Sequence, residues 1–184
     1  MFEEAAKKGY SLAQRTVGAY YLNGVGTVVD KKKGFMWFKK AAEQNDARAF
    51  WNLGKCYLDG EGTEKDEAKA IEYYQKSASA GDMYGQAELA LAYQFGQGGL
   101  KEDPKKAFEL YQLSATQGLA SAQSLLAYCY ENGVGTKKMR RKLLNITCYL
   151  QNKVMIQPNT VWHYAIGMVR EQREISTNYA IGQD

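Results

Sequence analysis

Tyr57-Leu58-Asp59-Gly60-Glu61-Gly62-Thr63 restates, 36 residues on, the stretch Tyr21-Leu22-Asn23-Gly24-Val25-Gly26-Thr27. Tyr93-Gln94-Phe95-Gly96-Gln97-Gly98-Gly99 and Tyr130-Glu131-Asn132-Gly133-Val134-Gly135-Thr136 continue the series, the last arriving one residue late through an insert around Leu100. Self-similarity at such a period is the mark of a solenoid, in which stacked units bury their faces against neighbours and share no single enclosed core.

Between these glycine loops the apolar residues recur with helical spacing. Ala49, Leu53, Gly54 and Tyr57 form one face, and Ala70, Ile71, Tyr74 and Ala78 form another. Each unit therefore reads as a helical hairpin. Gly60 is placed to close the first helix in the left-handed conformation, Gly62 turns the loop again, and Asp66 offers a carboxylate to the free N–H groups opening the second helix. Small residues at Ala41-Ala42, Ser77-Ala78 and Ser114-Ala115 let helices approach, with Trp37, Tyr73, Tyr74 and Tyr111 filling the remaining space. Gly9, Asn45, Gly81 and Gly118 end the second helices; Asn is the usual substitute for Gly at such an end.

The signature Ala49-x3-Leu53-Gly54-x2-Tyr57-x2-Gly60-x-Gly62-x3-Asp66-x2-Lys69-Ala70-x2-Tyr73-Tyr74-x2-Ser77-Ala78-x2-Gly81 resembles the Sel-one-like repeat, a relative of the tetratricopeptide repeat, over residues 1–136. The resemblance implies an all-α fold, a right-handed superhelical solenoid of stacked helical hairpins. It also implies a scaffold or adaptor that binds protein partners and does no chemistry of its own. The expected layout is a remnant second helix over 1–9, repeats over 10–45, 46–81 and 82–118, and the first half of a fourth over 119–136.

Two ends depart from the period. Phe2 to Gly9 aligns with Phe38 to Asn45, so the chain reads as starting halfway through a second helix, as a truncated array would. After Thr136 the period calls for an aspartate, an alanine and an aromatic pair, and meets Met139, Leu143, Ile146 and Thr147 instead. A permitted back-translation of Lys138–Thr147 contains, in the neighbouring frame, codons reading DEEKAIKYY, the expected helix in register. Trp162-His163-Tyr164 leaves little codon choice and forces Ala then Leu in that frame, as at Ala90-Leu91. Residues 137–184 accordingly read as a frameshifted version of repeats four and five.

Charge supports the division. The chain of 184 residues has a formal net charge of +4, yet residues 1–136 hold 16 Lys and Arg against 17 Asp and Glu, while 137–184 hold 8 against 3. The repeats are thus near neutral and give no electrostatic reason to expect nucleic acid. The run Lys137-Lys138-Met139-Arg140-Arg141-Lys142 is read as an accident of frame and not as an address or a nucleic-acid patch. No apolar run approaches the roughly 20 residues of a membrane span, so membrane insertion is not expected of this stretch. Cys56, Cys129 and Cys148 form no paired framework, which favours a reducing, cytoplasmic setting.

Catalytic motifs are weak. Gly133-Val134-Gly135-Thr136-Lys137 lacks the Gly-Lys-Ser/Thr ending of a phosphate loop and follows a helix, and its recurrence marks it as a turn. His163 is the sole histidine, so no histidine-based triad or histidine-rich metal site can be assembled. Glu61 with Glu64 and Glu102 with Asp103 precede helix starts, where acids favour the dipole, and Lys31-Lys32-Lys33 reads as a solvated face. Tyr21, Tyr57, Tyr93 and Tyr130 recur at packing positions and not as a stacking platform for bases. No enzyme activity, cofactor or metal is expected. Arg15, Trp51, Asn52, Lys55 and Glu88 lie on first helices outside the core pattern and vary between units, as a recognition face would. They are the candidate contacts for a protein or peptide partner in the solenoid groove. The competing reading is a regulatory or docking segment of a larger signalling protein such as a kinase.

Overall fold

A computed structural model describes residues 2–138. The divergent segment 139–184, with Cys148, His163 and the proposed shift of frame, lies outside the described residues. Within them the chain forms α1 (Phe2–Lys7), α2 (Ser11–Asn23), α3 (Lys31–Ala42), α4 (Ala47–Asp59), α5 (Glu67–Ser79), α6 (Met83–Phe95), α7 (Pro104–Thr116) and α8 (Ala120–Asn132), with no strand.

The helix limits follow from side-chain chemistry. Asp30, Asp66 and Asp103 stand at the N-caps of α3, α5 and α7, where their carboxylates accept from the N–H groups of Lys33, Lys69 and Lys106 at 2.9–3.0 Å. These bonds hold all three carboxyls below the ordinary aspartate range. At the other end, Gly24, Gly60, Gly96 and Gly133 close α2, α4, α6 and α8 with φ between 64° and 74°. Asn45, with φ of 60°, takes the left-handed turn that glycine takes in the other units. Each hairpin loop is also tied by a backbone bond of 2.8 Å, from Asp30 N–H to Tyr21, from Asp66 to Tyr57 and from Asp103 to Tyr93. The insert near Leu100 is absorbed in a short 3-10 turn, Gln97–Gly99, which leaves that tie intact.

Large residues against small ones hold each hairpin together. Tyr74 on α5 lies against Gly54 on α4 so closely that a Cβ at Gly54 would stand 2.4 Å from the ring. Phe38 and Tyr111 occupy the same place in their own units and are fully buried. Within each unit, the Ser77 hydroxyl donates to the Ala47 carbonyl at 2.8 Å and the Ser114 hydroxyl to the Met83 carbonyl at 2.7 Å, each tying the second helix to the start of its own unit's first helix. Gly62 and Gly135 have a different duty. With φ of 74° and 66°, each sits on the first turn of the preceding unit's second helix, where a Cβ would lie 2.1 Å from the Lys31 carbonyl oxygen or 2.0 Å from that of Pro104.

Stacking these hairpins gives the right-handed solenoid. The first helices α4 and α6 touch each other directly, so the first helices of the second and third units share one face of the stack. No helix among the described residues is long and apolar enough to cross a membrane.

Candidate functional site

Four of the five residues singled out on the first helices have partners on that face. Arg15 on α2 directs its Nε to Asp46 Oδ1 at 3.3 Å. The same Asp46 caps α4 through the Ala49 N–H at 3.0 Å, so Arg15 links the first unit to the second. Trp51 and Lys55 lie one turn apart on α4, with the Lys55 ammonium 5.7 Å from the centre of the Trp51 ring. Glu88 reaches the same place from α6. Burial pushes its carboxyl up, while Lys55 and the Trp51 indole N–H pull it down. That indole N–H is sealed from solvent and outside hydrogen-bond geometry to any acceptor, although Glu88 is near enough to feel it. Asn52 is half-buried beside them on α4 and does not join the cluster through a side-chain hydrogen bond.

The structure adds three residues that the sequence reading passed over. Arg48 pairs with Asp82 and lays its guanidinium 3.8 Å from the centre of the Tyr84 ring. Tyr84 in turn meets Trp51 with ring centres 4.9 Å apart. Asp82 is buried and also accepts from the N–H groups of Tyr84 and Gly85 at 3.1 and 3.0 Å, and from the Ser77 hydroxyl at 3.3 Å. A buried carboxylate needs this many donors, because each lone pair left bare in a low dielectric is costly. A sequence signal for Arg48 existed: the equivalent positions hold Leu12, Tyr84 and Ser121, so an arginine there is peculiar to the second unit.

The result is a patch spanning α4 and α6, with two aromatic rings bracketed by Arg48, Lys55 and Glu88. Rings held at a fixed height with charges of both signs beside them can grip a peptide by stacking and by charged hydrogen bonds. Burial pushes the thiols of Cys56 and Cys129 up to about 12, which keeps them protonated. No group of three or more His, Cys, Asp or Glu residues among the described residues could hold a metal ion.

A family model described as the Sel1 repeat matches residues 11–46, 47–82, 84–119 and 120–140. A Sel1 repeat protein from Oxalobacter formigenes is 33% identical with a TM-score of 0.76 over 83% of this chain and 62% of its own. A protective antigen of uropathogenic Escherichia coli strains, displaying an SLR fold, is 30% identical with a TM-score of 0.74 over 82% of this chain and 32% of its own. Cysteine-rich protein B of Helicobacter pylori is 26% identical with a TM-score of 0.55 over 67% of this chain and 93% of its own. The present chain thus spans under two thirds of the first relative and about a third of the second. No curated protein matches it.

Proposed function

Because the chain belongs to the Sel1 repeat family, whose repeats generally mediate protein–protein interaction, we propose that its first-helix face binds an extended protein or peptide partner as a non-catalytic scaffold. The observation that supports this reading is the Trp51–Tyr84 pair with Arg48, Lys55 and Glu88 around it. Stacked hairpins present these groups at fixed spacing, so little ordering entropy is lost on the scaffold side when a partner docks. Aromatic and arginine anchors at the centre of a rigid face are the residue types that carry most binding energy, about 2 kcal/mol or more each when truncated.

The test is photocrosslinking from residue 55 in the native cellular extract, followed by binding of the captured partner to Trp51→Ala and Lys55→Glu variants. Trp51→Ala is expected to weaken capture about 30-fold or more, in line with a central anchor, while the helical circular dichroism stays unchanged. Equal capture by wild type and both variants would place the partner elsewhere and end this reading.

A further inference from the structure

Apart from the patch, the units are stitched by glutamines. Gln14 on α2 donates to the Ala6 carbonyl at 3.1 Å and accepts from Gln44 Nε2 at 2.7 Å. In the third unit Gln86 accepts from Gln117 Nε2 at 2.8 Å, and in the fourth Gln123 donates to the Ala115 carbonyl at 3.0 Å. The second unit breaks the pattern at both positions, with Phe50 where the others carry the receiving glutamine and Ala80 where Gln44 and Gln117 stand. A shallow, open cleft lies there; Phe50, Ala80, Ala42, Glu43, Glu72 and Lys76 are among its walls.

The missing amide leaves a defined chemical vacancy. The Ala6 carbonyl accepts from both Gly9 N–H and Gln14, and the Ala115 carbonyl from both Gly118 N–H and Gln123. The Ala42 carbonyl, the equivalent group, takes the Asn45 N–H at 2.9 Å, and with Phe50 in place of the glutamine its second lone pair has no side-chain donor among the described residues. Phe50 itself supplies an aromatic surface, tilted 32° to the Tyr73 ring at 6.4 Å. Two carboxylates stand at the rim, Glu43, exposed, and Glu72, bonded to Lys76 at 2.6 Å. The Lys76 ammonium lies 4.9 Å from the centre of the Tyr73 ring. The rim is therefore net negative by one charge, carried by Glu43.

We propose that this cleft receives an arginine side chain of a protein partner, whose guanidinium replaces the absent glutamine amide. The guanidinium would donate to the Ala42 carbonyl and to Glu43 while its planar group lies over Phe50. An arginine fits all three requirements at once, because it carries several donors in one plane, a positive charge and a face that stacks on aromatic rings. A glutamate has no donor for the carbonyl, and an aliphatic side chain leaves both the carbonyl and Glu43 unserved. The cleft shares none of its lining residues with the first-helix patch and does not depend on the function proposed for it.

The experiment is a titration of the isotopically labelled full chain with the capped tripeptide Ac-Gly-Arg-Gly-NH2, followed by amide chemical shifts. Ac-Gly-Leu-Gly-NH2 and Ac-Gly-Glu-Gly-NH2 are the comparison probes. The arginine probe is expected to give saturable shifts at Ala42, Glu43, Phe50 and Ala80, with Tyr84 and Glu88 on α6 unmoved. Phe50→Gln with Ala80→Gln rebuilds the clamp found in the other units and is expected to abolish these shifts. Glu43→Gln, an exposed change that leaves packing alone, is expected to weaken binding about tenfold, the effect of one charge-assisted contact. The proposal is overturned if no saturable shift occurs, if the leucine or glutamate probe binds as tightly as the arginine probe, or if Glu43→Gln binds like wild type. Shifts confined to Trp51 and Glu88 would also overturn it while supporting the first-helix site.

Discussion

Removing the Tyr74 hydroxyl is expected to make the protein more stable. Tyr74 is 2% exposed and its hydroxyl has no hydrogen-bond partner. Burial raises its pKa, so the group is a neutral phenol with an unserved donor. The equivalent Tyr111 donates to Gln94 Oε1 at 2.8 Å; one unit earlier the position of Gln94 is Leu58, which packs against Tyr74 without offering an acceptor. The first unit has Phe38 and Leu22 there, so neither donor nor acceptor is present. The second unit thus carries the donor alone. A buried polar group without a partner costs about 1–3 kcal/mol, and the small void left by an oxygen atom takes back part of the gain. Tyr74→Phe should then raise stability by about 1 kcal/mol, or about 2–4 °C in melting temperature for a chain of this size. Tyr111→Phe breaks a formed bond and should lower stability by about 1 kcal/mol. Leu58→Gln should supply the acceptor and erase the benefit of Tyr74→Phe. Urea melts of the full chain, read by helical circular dichroism, measure all three. If Tyr74→Phe proves as destabilising as Tyr111→Phe, the hydroxyl has a partner and the reasoning is wrong.

Loop glycines should differ sharply although their backbone angles match. Gly62→Ala meets the Lys31 carbonyl and is expected to cost several kcal/mol, while Gly26→Ala, with φ of 67° and nothing within 4 Å, should cost only the left-handed penalty of about 1 kcal/mol in the same melts. Raising the pH from 9 should weaken the fold, because the folded thiols of Cys56 and Cys129 titrate near about 12 against a reference of 9.0. Their raised values mean stability is complete below 9 and declines toward 12 as the unfolded thiols ionise; Cys56→Ser and Cys129→Ser should flatten that decline. At pH 8 a thiol reagent is expected to label both residues only after urea is added. Sequencing the transcript across codons 133–149 is expected to reveal a missing or extra base; an unchanged frame would make the basic segment genuine protein.

The period alone made the helices legible, because every unit repeats the same cap, glycine turn and apolar spacing. Asp66, Gly60 and Asn45 could be assigned from residue type since each performs a backbone task that few side chains perform. The first-helix patch was half legible. Trp51, Lys55 and Glu88 stood out as departures from the core pattern, and the structure brings them together. Arg48, Tyr84 and Asp82 did not, since an aspartate cap looks the same in sequence whether it is solvated or buried under an arginine. Arg15 stood out too, but its partner did not: the pairing with Asp46 crosses a unit boundary, and no spacing rule within one repeat encodes that. The cleft beside Phe50 was hidden for a related reason. Phe50 and Ala80 are unremarkable apolar residues until Gln14 is seen to bond Gln44, and Gln86 to bond Gln117, at the equivalent positions of the neighbouring units.

The aspartate at the start of α4 and α6 bears on how the stack would come apart under load. At those two seams a carboxylate both caps the incoming helix and grips an arginine of the unit before, whereas α8 begins at Leu119 without a side-chain cap. Tension along the axis would therefore find unequal rivets. The α7–α8 seam should peel at lower force than the α5–α6 seam, giving a pulling trace with ordered steps instead of a single rip. Such a polymer of unlike links can lengthen at one end while the segment bearing Trp51 and Tyr84 stays closed.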